Sequence, residues 1–171
     1  MPERQTIIEQ LQAYFANHGE IDMAYLFGSY ARNEATTLSD VDVGILWSRP
    51  QSLTQKLQIE GQIILDLQTL LHIEEINVVE LDETPATLNY RVIHEGILLL
   101  NRDENKRIRF TLRTINEYLD FQPVLERHEK AVLAKARQGK LLDGYNRYRR
   151  SFESHRRRLA STTSLARTDI G

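Results

Sequence analysis

The chain has 171 residues, no cysteine and a formal net charge of −2. This length suits one domain with a buried core and an extension, and the lack of cysteine excludes disulfides, thiolate metal sites and a cysteine nucleophile. No apolar run reaches the roughly 18 residues of a membrane span and the N-terminus has no signal-peptide pattern, so we expect a cytoplasmic protein without a membrane segment.

The charge is divided unevenly along the chain. Residues 1–102 contain 6 Lys and Arg against 15 Asp and Glu, a net of −9, whereas residues 103–171 contain 16 against 9, a net of +7. We therefore predict a core over 1–102, C-terminal helices over 103–140 that pack on the core or a partner, and a basic extension with a loose tail over 141–171. The acidic part is expected to need cations. The basic part could bind an acidic partner or nucleic acid, or it could simply be a solvated helical surface.

The first predicted element is an amphipathic helix over residues 3–18. A short apolar strand, residues 24–27, then ends in the small-residue turn Gly28-Ser29. Such a turn before a helical turn presents backbone N–H groups and a hydroxyl, which is how proteins hold phosphate. Arg32 follows within reach of the same charge, although a plain surface arginine is the alternative.

Ten residues after the turn, Asp40 and Asp42 open a second apolar strand. Side chains alternate between the faces of a strand, so both carboxylates share one face, about 7 Å apart. Two carboxylates so placed can bind one hard cation or a pair of them. A Gly-Ser turn or an Asp-x-Asp entrance alone is an ordinary structural feature, but their combination at this spacing predicts a site for a metal-bound nucleotide.

Two helices and two strands are predicted next. Ser52 and Gln55 form a capping-box pattern for a helix that runs to about residue 71. Residues 74–81 and 97–100 are predicted strands, with a helix over 85–95 between them. The stripe expected to be buried in the first of these helices consists of Leu53, Leu57, Ile63, Ile64, Leu67, Leu70 and Leu71.

Residues 104–140 have a helical composition that is interrupted by Pro123. Because proline removes a backbone donor, we expect two helices that meet near residues 121–122. Residues 141–158 interleave aromatic residues with arginines, which fits RNA binding, a partner interface or a simple extension. An apolar stripe before the proline is a candidate for partner contact or for packing on the sheet: Ile108, Leu112, Ile115 and Leu119.

Gly28-Ser29, the ten-residue spacer and Asp40-x-Asp42 together resemble the signature of nucleotidyltransferases built on the DNA polymerase β-type catalytic domain. The string GSYARNEATTLSDVDVGIL more narrowly resembles minimal nucleotidyltransferase (MNT) proteins encoded beside HEPN-domain toxins. The resemblance implies an α+β fold. Its nucleotidyltransferase core, residues 1–102, would be a small mixed β-sheet flanked by helices, with a C-terminal helical extension.

The resemblance also implies an activity. Asp40 and Asp42 would hold Mg²⁺, while Gly28, Ser29 and Arg32 would bind the phosphates of ATP. AMP would pass to a tyrosine hydroxyl of a HEPN ribonuclease toxin, which this protein neutralises as the antitoxin. The alternatives are an antitoxin that acts by binding alone and a small-molecule nucleotidyltransferase of the aminoglycoside-modifying type; nucleic acid remains an open partner that is not favoured.

One position departs from the family pattern. Members of this superfamily carry a third catalytic acid on the strand beside the Asp-x-Asp strand, where this chain has Asn77. Asparagine can coordinate a metal through its carbonyl oxygen, but it cannot supply negative charge or take a proton. Glu75, one pleat away on the same face, is the other candidate. Either Glu75 serves, or two carboxylates suffice, or the protein binds nucleotide and turns over slowly.

Overall fold

The computed structural model describes residues 4–36 and 39–139. The chain divides into two compact units, Met1–Asp120 and Phe121–Gly171, and the sheet and the site lie in the first. The predicted extension over 141–171 lies outside the described residues. The elements are α1 (Arg4–Ala16), β1 (Ile21–Phe27), α2 (Gly28–Ala31), β2 (Val41–Trp47), α3 (Leu53–Leu71), β3 (Ile76–Glu80), α4 (Ala86–Glu95), β4 (Ile97–Asn101) and α5 (Glu104–Arg137).

The four strands form one mixed sheet in the order β3-β2-β1-β4. β1 pairs antiparallel with both β2 and β4, whereas β2 and β3 are parallel and are joined by the crossover helix α3. The antiparallel register places Phe27 opposite Asp42, and the parallel register places Asp42 opposite Asn77. The end of β1 and the beginnings of β2 and β3 therefore meet at one edge of the sheet, and the predicted α+β fold is confirmed.

The sheet buries apolar side chains on both faces. The larger cluster packs β1 and β2 against α1 and α3, and the smaller cluster packs the opposite face against α4 and the beginning of α5. Alternation along β2 produces this division, because Val41, Val43 and Ile45 join the larger cluster while Leu46 joins the smaller one.

Helix α3 begins with the predicted capping box, since Ser52 Oγ accepts the Gln55 backbone N–H and the Gln55 side chain accepts the Ser52 N–H. The predicted buried stripe is wrong at its start. Leu53 and Leu57 are 72% and 62% exposed, whereas Ile63, Leu67 and Leu71 are buried. The reason is geometric. The 19 residues of α3 span about 28 Å and the seven residues of β2 about 23 Å, so the helix extends beyond the end of the sheet.

Helix α5 is continuous from Glu104 to Arg137 with Pro123 inside it, so the predicted break into two helices is wrong. This part of α5 is exposed, and the carbonyl that loses its N–H partner can be hydrated instead. Although α5 is the longest helix, no helix in residues 4–36 and 39–139 is both long and apolar enough to cross a membrane.

The first half of α5 has two faces of different character. Phe110 and Thr114 face the core and are buried. The predicted apolar stripe lies on the other face, where Ile108, Leu112 and Leu119 are 44%, 56% and 53% exposed. This stripe is therefore available for contact with another molecule and does not pack on the sheet.

Two glycines provide a matched test of this packing. At Gly44 in β2, an added Cβ would lie 2.7 Å from Cδ2 of the fully buried Leu81, whereas at Gly61 in α3 no heavy atom of the described residues lies within 4 Å. We predict that Gly44→Ala lowers the free energy of unfolding by about 1–3 kcal/mol through overpacking. Gly61→Ala should raise it by about 0.5–1 kcal/mol, because alanine has the higher helix propensity.

Urea unfolding followed by circular dichroism measures both free energies. The two substitutions add the same methyl group, so equal effects of one sign would contradict this account of the core.

Candidate active site

The turn after β1 has a backbone that only glycine adopts easily. Gly28 has φ +73°, in the left-handed region, and it begins the short helix α2. Arg4 of α1 binds the other end of α2, because its Nε donates to the Tyr30 carbonyl at 2.8 Å and its Nη2 to the Ala31 carbonyl at 2.5 Å. These bonds fasten the helix that follows the Gly28-Ser29 turn to the N-terminal helix.

Asp42 lies against this turn. A Cβ added at Gly28 would be 2.1 Å from Asp42 Oδ2, so a side chain at residue 28 and the observed carboxylate position exclude each other. The pairing of Phe27 with Asp42 across β1 and β2 creates the contact. Sequence reasoning predicted a phosphate-binding role for Gly28, and the fold adds that this glycine makes room for the second aspartate.

Asn77 joins the two aspartates. Its Nδ2 donates to Asp42 Oδ1 at 3.0 Å and approaches Asp40 Oδ2 at 3.5 Å. The parallel pairing of Asp42 with Asn77 explains this placement. Asn77, at the predicted third position, is therefore in contact with both carboxylates.

The pKa of the Asp42 carboxyl is raised, chiefly because burial penalises its charged form and further because Asp40 is a like charge nearby. The Asn77 hydrogen bond and the charge of Arg32 oppose this shift. By itself the pair of carboxylates is thus electrostatically unfavourable, and a cation bound between them would relieve this repulsion.

Glu75 has a different environment. Its backbone carbonyl accepts the Val41 N–H at 3.0 Å at the entrance to β2, and its side chain is exposed. The parallel register thus places Asn77, and not Glu75, opposite Asp42.

Arg32 lies at the site but is already paired. Its Nε is 2.8 Å from Glu34 Oε2 and its Nη1 is 3.5 Å from Glu95 Oε2. Glu95 belongs to α4, so this contact connects α2 with a helix that the sequence did not mark as functional.

These elements surround a cavity of about 440 Å³. It brings together every predicted nucleotide and metal residue and adds others that sequence reasoning missed. Three of the added residues are Leu88, Arg91 and Glu95, and their spacing places them on one face of α4. That this face lines the cavity depends on how α4 packs, which the sequence does not show. The lining residues are Phe27, Gly28, Ser29, Arg32, Ser39, Asp40, Asp42, Leu88, Arg91 and Glu95.

The donor atoms fit a magnesium ion that is shared with a nucleotide. Mg²⁺ is usually held by one or two carboxylates together with phosphate oxygens and water, and Asp40 and Asp42 supply the two carboxylates. The described residues contain no cluster of three or more His, Cys, Asp or Glu side chains that would hold a metal by themselves. The Asn77 amide could contribute its oxygen after rotation about its last side-chain bond.

A small-residue turn facing paired carboxylates at one edge of a mixed sheet can bind the phosphates of a nucleotide together with a divalent cation. The family model described as "Polymerase beta, Nucleotidyltransferase" matches residues 9–105, more than half of the chain. The chain belongs to this family of nucleotidyltransferases.

Solved structures share the fold. A chain of a toxin–antitoxin crystal structure with AMP-PNP is 21% identical, with a TM-score of 0.57 over 77% of this chain and 98% of that one. A structure of tri-AMPylated Shewanella oneidensis HEPN toxin in complex with MNT antitoxin gives 19% identity and a TM-score of 0.57 over 77% and 99%. At these identities the similarity shows the fold alone. Among curated proteins, none matches the chain.

The raised pKa of Asp42 predicts a stability effect. An acid whose pKa is higher in the folded than in the unfolded state stabilises the fold below its unfolded pKa, and this contribution is lost as pH rises through the folded pKa. We therefore expect Asp42→Asn to raise the urea midpoint at pH 7, since the amide carries no charge and its oxygen can still accept from Asn77. The gain should shrink as pH falls through the raised pKa of the folded state, where the native carboxyl takes up its proton.

The control is Asp120→Asn, at an exposed position in α5, which should leave the midpoint unchanged at both pH values. If Asp42→Asn unfolded at lower urea than the wild type at pH 7, the unfavourable charge assigned to Asp42 would be refuted.

Proposed function

We propose that the protein is a Mg²⁺-dependent nucleotidyltransferase that transfers AMP from ATP to a tyrosine hydroxyl of a HEPN-domain toxin and so acts as its antitoxin. The observation that carries this proposal is the shared cavity in which Asp40 and Asp42 face the Gly28-Ser29 turn. Family membership supports the reaction class. Structural neighbours described with AMP-PNP and with an AMPylated HEPN toxin support the nucleotide and the acceptor.

Each residue has a defined task in this reaction. Gly28 and Ser29 bind the terminal phosphates, which leave as pyrophosphate when the acceptor oxygen bonds to the α-phosphorus and the bond to the bridging oxygen breaks. Asp40 and Asp42 would hold Mg²⁺, which when bound neutralises phosphate charge. Arg32 adds positive charge at the cavity wall.

The proton of the attacking hydroxyl has no dedicated acceptor at the third position. Asn77 cannot take it, because an amide is not a base, and the Glu75 side chain is exposed. Because general-base help is worth about 10²- to 10⁴-fold, we expect slow turnover that suffices for an abundant partner.

The toxin needs a docking surface, and α5 offers one in the same unit as the cavity. The exposed stripe formed by Ile108, Leu112 and Leu119 covers three turns of this helix opposite its buried face. Contiguous apolar side chains of this kind commonly mark protein interfaces. Contact along this stripe would hold the acceptor on the same protein that binds the nucleotide.

The direct test is transfer of label from ATP carrying a labelled α-phosphate, in the presence of Mg²⁺, to a HEPN protein encoded beside this chain. The wild type should label the toxin on tyrosine, and Asp42→Asn should reduce the rate by at least about 100-fold, because it removes the negative charge of a metal ligand. Asp120→Asn is the matched control. Absence of label with the wild type and the variant alike would refute the enzymatic function.

Inhibition by binding alone is a second candidate, favoured by one observation. The Asn77 amide bridges the two aspartates where the family places a third acid. This alternative predicts that the double variant Asp40→Ala, Asp42→Ala still co-purifies with the toxin and still protects cells. The catalytic proposal predicts that it co-purifies but does not protect.

The third position can be tested separately. Asn77→Asp should raise the transfer rate by about tenfold or more by restoring a group that can accept the proton. Glu75→Gln should change the rate by less than about twofold, since its side chain is exposed and the register places Asn77 opposite Asp42. A large loss with Glu75→Gln would show instead that Glu75 reaches the reaction.

A further inference from the structure

Helix α4 contributes two charged residues of opposite sign to the cavity wall, Arg91 and Glu95. They lie four residues apart, so they are neighbours on one face of the helix. Glu95 reaches Arg32, with 3.5 Å between its Oε2 and the arginine Nη1. The wall therefore consists of two arginines with a carboxylate between them.

The two arginines are in different states. Arg32 is paired with both Glu34 and Glu95. Arg91 is exposed at the cavity and makes no ion pair or hydrogen bond with any residue in 4–36 and 39–139. An arginine whose fork of donors is free matches the geometry of phosphate oxygens.

The position of this wall indicates which part of a ligand it meets. Arg32 follows Ser29 by three residues at the end of α2, and its contact with Glu95 brings α4 to the Gly28-Ser29 turn. Phosphates held at that turn would be adjacent to the two arginines, and the carboxylates of Asp40 and Asp42 at the same cavity carry charge that repels a bare polyphosphate.

We propose that Arg91 binds the polyphosphate of the nucleotide, and that Glu95 limits the affinity by competing with the polyphosphate for Arg32. This inference rests on the proposed function, because it assumes a nucleotide at the Gly28-Ser29 turn. Arg91 has no partner to give up among the described residues, whereas Arg32 must exchange a carboxylate for a phosphate. The two arginines would thus hold the triphosphate. After the reaction Glu95 would pair with Arg32 again, and this pairing would favour the release of pyrophosphate.

The experiment measures binding of AMP-PNP with Mg²⁺ by isothermal titration calorimetry at fixed ionic strength. Arg91→Ala should raise Kd by about tenfold, in the range for a hydrogen bond to a charged group, and Arg91→Lys should have a smaller effect because it keeps the charge without the fork. Glu95→Gln should lower Kd by about threefold, the opposite direction.

Two exposed α5 residues outside the cavity provide matched controls, Arg109→Ala and Glu117→Gln, which should leave Kd unchanged. A double-mutant cycle separates competition from simple repulsion. If Glu95 acts by holding Arg32, then Glu95→Gln should have no effect when Arg32→Ala is already present.

The outcomes are distinct. Binding by the wild type with an unchanged Kd for Arg91→Ala would overturn the role of Arg91 and leave the proposed function standing. An equal gain from Glu95→Gln with and without Arg32 would overturn the competition. No binding of AMP-PNP by the wild type would overturn this inference together with the proposed function.

Discussion

The site depends on the close contact between the Asp42 carboxylate and the backbone of Gly28. One Asp42 oxygen lies where a side chain at residue 28 would have to be, and the same glycine takes a left-handed conformation to begin α2. The contact exists because β1 and β2 pair antiparallel with Phe27 opposite Asp42. Turn and carboxylate are thus components of one packed unit, so the phosphate-binding and metal-binding roles proposed for them cannot vary independently.

The second feature of the site is the negative charge of its two neighbouring carboxylates. Asp42 is partly buried next to Asp40, which raises its pKa, and the Asn77 amide relieves part of that repulsion by donating to both carboxylates. A carboxylate at position 77 would add charge, so its absence favours a stable fold over proton transfer. Stability and catalysis therefore pull in opposite directions here, as is common where charges are assembled for function.

Helices α4 and α5 supply the surfaces for the proposed ligand and partner. α4 places Arg91 and Glu95 in the cavity, where we propose that they adjust the charge that a nucleotide meets. The first half of α5 packs one face on the sheet and exposes an apolar stripe on the other. Because neither helix supplies the paired aspartates, substitutions in either helix would leave Asp40 and Asp42 in place.

The sequence alone determined the type of site and most elements, because strand alternation and capping are local. Spacing was enough to place Asp40 and Asp42 on one face and to locate the cap at Ser52. Tertiary structure decided which of Glu75 and Asn77 reaches the aspartates, which face of α4 meets the cavity and where α3 leaves the sheet. These three features depend on strand register and on the relative lengths of the helices and strands. Both are set by contacts between residues far apart in the sequence, and the periodicity of the sequence does not reveal such contacts.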